Sequence, residues 1–329
     1  MRNSIIIGSG SYAPERVIPN SYFNELLGED VDTWLSTNLT IKERRWCSED
    51  QSTADLCIEA ANAALKDAGI EAKNLDLIII STDTPEYISP STASVVQHRL
   101  NAIKAGTFDL NSACSGFVTA LDTASKFIKA DDNYKYVLVI GAYAMSKYLD
   151  LSDKKTVTLF ADGAGALVLK AEENSDRGQL VSKLHTEGQY AVWMGIYAGG
   201  THIPINEQVL ENKAHLLKFV KKFPKEINPT TWTRMIKESC EKIGITPNDI
   251  EHYFFTQINI NTIWETLDNL EVERSRAHTI MDRYAYTGSA CIPMAYDDAA
   301  KKGKLKKGDL VCFMGSGGGL AFANSIYKI

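Results

Sequence analysis

The sequence predicts an α/β fold made by duplicating one unit, with two mostly parallel sheets sharing buried helices in a layered α-β-α-β-α arrangement. Three observations carry this prediction. Strand-like β-branched runs alternate with runs whose apolar residues recur three and four apart, the spacing of one buried helix face. The same succession of elements occurs twice, in one order. A cysteine that ends a short apolar run and opens a helix pattern falls at a strand end, where such folds gather their chemistry.

The elements follow in order. Ile5-Ile6-Ile7-Gly8 reads as a short buried strand, and Ser52 to Ala68 as an amphipathic helix stopped by Gly69. Leu75-Asp76-Leu77-Ile78-Ile79-Ile80 suits a central strand, and Ser94 to Leu100 a helix. Phe108 to Phe117 holds the cysteine, followed by a helix over Phe117, Val118, Leu121, Ala124, Phe127 and Ile128 that runs out at Asp131-Asp132-Asn133. Tyr136 to Gly141 is the next strand.

The grammar then returns. Trp232 to Lys242 reads as a helix, Gly244 answers Gly69, and Ile250 to Phe255 is a strand whose following Thr256-Gln257 answers Ser81-Thr82. Thr279 to Gly288 answers Thr107 to Gly116, each read as a strand, a small-residue turn and a helix, so that Tyr286 answers Cys114. Leu310 to Gly315 answers Tyr136 to Gly141. The expected halves are 1–170, carrying the cysteine, and 171–329, completing the site.

Composition narrows the class. Among 329 residues, 44% are hydrophobic and 23% charged, proportions of a globular protein with a sizeable core. No apolar run reaches the roughly 20 residues needed to span a bilayer, and Met1 to Ile5 lacks a signal-peptide pattern, so a cytoplasmic protein without a membrane partner is expected. Six scattered cysteines with no Cys-x-x-Cys pair indicate neither a disulfide framework nor a zinc site. A net charge of −6, with no basic block interleaved with aromatics, argues against nucleic acid.

Cys114 is the candidate nucleophile. At a helix start, unpaired backbone N–H groups and the positive end of the helix dipole favour a thiolate. A small buried hydrophobe is the alternative reading of the same residue. The glycines at Gly163-Ala164-Gly165 and Gly317-Gly318-Gly319 fit no phosphate-loop fingerprint and read as places of close backbone approach.

Five stretches together resemble the β-ketoacyl-acyl-carrier-protein synthase III family of the thiolase-like fold. They are Gly8 to Pro14, Ile41 to Arg45, Asn111 to Phe117, Phe160 to Ala166 and Gly315 to Gly319. The resemblance covers nearly the whole chain. It implies a fatty-acid or polyketide-like acyltransferase that loads an acyl group from coenzyme A onto Cys114, with backbone N–H groups of Cys114 and Gly318 as oxyanion hole. It implies no cofactor beyond the coenzyme A thioester substrate, a homodimer, and an acyl carrier protein as candidate partner.

Two positions depart from the family pattern. The histidine of its Pro-His-Gln-Ala-Asn run corresponds to Thr256 in Phe255-Thr256-Gln257-Ile258-Asn259, and its asparagine to Tyr286 in Tyr284-Ala285-Tyr286-Thr287-Gly288. Losing one donor aimed at developing charge costs about 10²–10³ in rate. Thr256 and Tyr286 still offer hydroxyls, and neither is a base near neutral pH. Transfer to a preactivated nucleophile therefore fits better than malonyl decarboxylation. The competing classes are a non-catalytic subunit supporting an active paralogue and a thioester hydrolase that releases free acid.

Further positions follow from the resemblance. Trp34 stands where the adenine of coenzyme A stacks, Lys154 where a basic residue meets the nucleotide, and Ser89 where a residue crosses the dimer interface toward the acyl pocket. Asn38, Asn261 and Asp268-Asn269 replace basic family residues, leaving Lys213, Lys218, Lys221, Lys222 and Lys225 as a cluster for an acidic carrier. Asp83 and Glu86 lie where some thiolase-like relatives place an acid; their Ser-, Thr- and Pro-rich surroundings read as a solvated turn.

Overall fold

The apolar runs pair into one five-stranded and one four-stranded sheet in a computed structural model, which describes residues 2–329. The first sheet contains β1 (Asn3–Tyr12), β2 (Leu77–Ser81), β3 (Gly106–Leu110), β4 (Tyr136–Ala144) and β5 (Asp162–Glu172), in the order β1-β5-β4-β2-β3. The second contains β6 (Gly178–Thr186), β7 (His252–Phe255), β8 (Leu310–Gly317) and β9 (Ala321–Lys328), in the order β7-β8-β9-β6.

Six helices cover and separate these sheets: α1 (Thr53–Ala68), α2 (Thr92–Arg99), α3 (Gly116–Ala130), α4 (Ile227–Ile243), α5 (Ile260–Asn269) and α6 (Cys291–Lys301). α1 and α2 lie against the first sheet, and α4, with α5 beside it, against the second. α3 touches both sheets, as does α6, so these two form the central layer of an α-β-α-β-α stack. Burial follows: Phe117, Val118, Leu121, Ala124 and Ile128 of α3 are fully inaccessible. Even Asp122 is buried there, and it accepts hydrogen bonds from Ser182 Oγ (2.5 Å) and Gln179 Nε2 (3.1 Å) of β6.

The sheets are less parallel than expected. β2 runs parallel to β3 and β4, and β7 to β8, whereas β1–β5, β4–β5, β8–β9 and β9–β6 are antiparallel. The reason is loop length. Only Gly318 to Leu320 join β8 to β9, too few residues for the crossover that a parallel pair requires.

Duplication is visible in the backbone. α1 and α4 end on left-handed glycines, Gly69 (φ 66°) and Gly244 (φ 72°), and a single 3₁₀ turn leads from each into β2 or β7. Ala113 (φ 45°) and Ala285 (φ 46°) both take positive φ immediately before Cys114 and Tyr286. The expected strand within Thr279 to Gly288 is absent. One bridge between Tyr253 and Ala277 starts the pairing, then Met281–Tyr284 coils into a helical turn. His278 (2.6 Å) and Arg283 (3.0 Å) both bind Asp298 of α6, which draws the segment away from the edge of β7.

The Gly163 to Ala166 run has a packing cause. A Cβ on Gly165 would lie 2.6 Å from the backbone nitrogen of Met294, so only glycine lets α6 lie on β5. No helix among the described residues is long and apolar enough to cross a membrane.

Candidate active site

β3 delivers the chain to Leu110, and the turn that follows is tied by its own backbone: Ser115 N–H donates to Ser112 O (3.2 Å) and Gly116 N–H to Ala113 O (2.9 Å). Cys114 sits in this turn, 2% exposed, just ahead of α3. The far lobe closes over it. A Cβ on Gly317, at the end of β8, would stand 2.4 Å from Cys114 N and 2.9 Å from Ser115 N.

The duplication brings Tyr286 opposite. Its N–H donates to Leu159 O (3.0 Å), its carbonyl accepts from Ala161 N–H (2.9 Å), and its ring lies 5.4 Å from that of Phe160. Its side chain acts electrostatically on the Cys114 sulfur. Burial pushes the thiol well above its ordinary value, the charge of Asp83 adds to this, and the Tyr286 hydroxyl pulls the other way. The helix-start argument for a thiolate is therefore outweighed by desolvation.

Thr256 reaches the same place with its hydroxyl already engaged. It accepts from Ser316 N–H (2.9 Å) and donates to Ser316 O (3.2 Å), so it locks the end of β8 instead of presenting a free donor. Thr256→Val should leave the buried Ser316 groups unpaired and cost about 1–3 kcal/mol, seen as a lower denaturation midpoint.

Three cavities adjoin one another here. One, 530 Å³, is lined by Trp34, Lys154 and Phe219; a second by Phe219, Thr256, Tyr286, Met194 and Gly318. A third, 280 Å³, shares Met194 and Gly318 with the second and is lined in part by Cys114 and Asp83. Trp34 is 55% exposed at the mouth, and Lys154 pairs there with Glu29 at 2.8 Å. Ser89 lies elsewhere: it is exposed and lines a shallow groove with Tyr87, Ile88 and Phe108, apart from Cys114 of the same chain.

The turn after β2 is not uniformly solvated. Glu86 accepts from Ala54 N–H (2.9 Å), satisfying the start of α1. Asp83 is a site residue that composition concealed: it lines the Cys114 cavity, and its Oδ1 is shut from solvent without a hydrogen-bond partner in the protein. Burial raises its carboxyl from 3.8 to about 6, with Cys114, Tyr143 and Tyr148 as the titratable groups around it. A folded-state value above the unfolded one means that this residue's contribution is most favourable below pH 4 and is lost as pH rises through 6. Asp83→Asn should consequently be the more stable protein at pH 7.5, by on the order of 2 kcal/mol, with the gap closing at pH 4 in thermal melts.

The model for 3-oxoacyl-[acyl-carrier-protein] synthase III matches residues 108–188, and that for its C-terminal part matches 240–329. The β-ketoacyl-[acyl-carrier-protein] synthase III of Caldanaerobacter subterraneus is 35% identical over 98% of this chain and 97% of its own; that of Clostridioides difficile is 36% identical with the same coverage. The chain belongs to the synthase III family. The crystal structure of 3-oxoacyl-[acyl-carrier-protein] synthase III from Aquifex aeolicus matches with a TM-score of 0.89 at 31% identity, over 99% of this chain and 100% of that one.

This synthase III family member is an acyltransferase of the condensing type with a thiolase-like fold. No histidine lines any of its three adjoining cavities. His278 is held by Asp298 and Lys304, and His252 lies 3.4 Å from Asp309. Asn261 Nδ2 donates to Asn38 O (2.9 Å), and Asp268 pairs with Arg274 (2.6 Å). Within the lysine cluster, Lys213 and Lys218 face Asp150 and Lys221 lies over the Trp193 ring, while Lys222 and Lys225 are exposed.

Proposed function

We propose that the enzyme takes an acyl group from a coenzyme A thioester onto Cys114 and passes it to a carbon nucleophile or a carrier-bound thioester, in fatty-acid or polyketide-like biosynthesis. The observation that carries this reading is Cys114 in a cavity that adjoins, through Met194 and Gly318, the one lined by Tyr286 and Thr256, which in turn adjoins the cavity of Trp34 and Lys154. The sulfur attacks the thioester carbonyl, the carbon–sulfur bond to coenzyme A breaks, and the leaving thiolate takes up the proton that Cys114 gives up. N–H groups of Cys114 and Gly318 receive the developing oxyanion.

Thr256 and Tyr286 stand where the family resemblance implies histidine and asparagine, and this bears on the second half of the reaction. Burial and the neighbouring Cys114 push the Tyr286 hydroxyl further up, away from any role as a base. With the Thr256 hydroxyl committed to Ser316, the site lacks the paired donors that a malonyl decarboxylation needs. A nucleophile that arrives already activated suits these residues. Two copies would join through β3, the outer strand of the first sheet, whose free edge invites pairing, and an acidic carrier would meet Lys222 and Lys225. Residues 1–170 then supply the nucleophile and 171–329 the wall that closes over it.

Intact-protein mass after incubation with acyl-coenzyme A donors tests the reading. An adduct on Cys114 that persists until an acceptor is added supports it, and prompt free acid without acceptor would indicate a hydrolase. Malonyl-coenzyme A offered to the acylated protein should release carbon dioxide no faster than it does with Cys114→Ala.

A further inference from the structure

Loading requires the Cys114 thiol to lose its proton as the sulfur attacks. Burial holds that proton in place against the pull of the helix start, so no thiolate stands ready. Some group on the cavity must receive the proton, and most candidates fall away. No histidine lines the three adjoining cavities, burial pushes the hydroxyls of Tyr143, Tyr197 and Tyr286 up, and Thr256 is bound to Ser316. Lys154, at the mouth, is paired with Glu29.

Asp83 remains. It lines the 280 Å³ cavity together with Cys114 and is the only carboxylate that does so among the described residues. Oδ1 is the oxygen shut from solvent; Oδ2 keeps accessible surface, and neither accepts a hydrogen bond from another described residue. Its charge is felt at the sulfur, where it comes next after burial among the causes that raise the thiol. That coupling favours proton transfer within the pair. A thiolate beside a carboxylate is repelled, whereas moving the proton from sulfur to carboxylate leaves one negative charge before and after.

We infer that Asp83 is the proton carrier of the loading step. Its Oδ2 receives the Cys114 proton, directly or through one water, as the sulfur attacks the thioester carbonyl. It returns that proton to the coenzyme A thiolate when the carbon–sulfur bond to coenzyme A breaks. This rests on the loading reading above and assigns the proton's path in it. With its carboxyl raised to about 6, the residue is largely ionised at neutral pH yet basic enough to hold a proton for the length of the step. The missing hydrogen-bond donor serves the same end, since a donor from the protein would stabilise the carboxylate and make it a weaker base.

The experiment follows acylation of Cys114 by acetyl-, butyryl- and octanoyl-coenzyme A, in stopped reactions read as intact mass, across a range of about pH 5 to 9. In the parent the second-order rate constant should rise with pH, pass its half-point near 6 and level off as Asp83 ionises. The titratable groups around Asp83, namely Cys114, Tyr143, Tyr148 and Tyr197, are raised by burial and stay neutral over this range. Asp83→Asn keeps the shape and removes the base, so loading should fall about 10²–10⁴-fold at pH 7.5. Its remaining rate should climb about tenfold per pH unit without levelling, as thiolate alone supplies the nucleophile. A melt of the same sample at or above the parent's separates this loss from misfolding. Loading by Asp83→Asn as fast as by the parent overturns the inference and leaves the loading reading standing. Slowing that keeps the parent's half-point, or a parent profile without one near 6, overturns it equally, since another group would then carry the proton. No adduct on the parent from any donor overturns the loading reading and this inference together.

Discussion

Cys114→Ala protein should gain no mass from any acyl-coenzyme A donor, while the parent should gain one acyl group. Removing a nucleophile that works with its surroundings as a unit costs on the order of 10⁴ or more in transfer rate, and alanine leaves no atom to carry the acyl group. The variant should fold normally. Its side chain differs by one sulfur in a turn whose geometry is set by the backbone bonds of Ser112, Ala113, Ser115 and Gly116, none of which involves the thiol. Intact mass and a thermal melt on one sample separate the two effects. A variant still acylated at another residue would remove Cys114 from the mechanism.

Gly317→Ala is the second large effect, and it acts on the nucleophile from the other lobe. The added methyl would sit 2.4 Å from Cys114 N, 2.9 Å from Ser115 N and 3.0 Å from the Ala113 side chain. Two of these neighbours are backbone atoms that cannot swing aside, so either β8 or the Cys114 turn must move. Overpacking of this kind costs about 1–3 kcal/mol of stability. The larger consequence falls on rate, because displacing a reacting atom by about 1 Å costs on the order of 10². Acylation should fall by about that factor in a protein that still melts cooperatively. Unchanged acylation would show that the two lobes do not fix the nucleophile against each other.

The Gly317 argument shows where reading the sequence succeeded. Its terminal glycines signal close backbone approach, and the backbone that Gly317 approaches is that of Cys114 and Ser115. The helix stops at Gly69 and Gly244, the strand at Leu77–Ser81 and the buried helix after Cys114 were equally legible, because each depends on local chemistry within a few residues. Matching Tyr286 to Cys114 across the repeat was also legible, and the shared positive φ of Ala113 and Ala285 is its physical trace.

What the sequence by itself determined, then, was the class of fold, its repeat and the family, all carried by periodicity and by motifs contiguous in the chain. The tertiary structure alone decided the electrostatics. A turn of Ser, Thr, Asp and Pro reads as solvated, yet folding places Asp83 on a cavity that Met194 and Tyr197, more than 100 positions away, also line, and its Oδ1 loses water and gains no partner among the described residues. The same distant contacts turn Cys114 from a helix-start thiolate into a buried thiol and commit the Thr256 hydroxyl to Ser316. Desolvation is set by everything that surrounds a group, and what surrounds these groups is brought there by the sheets and not by their neighbours in sequence.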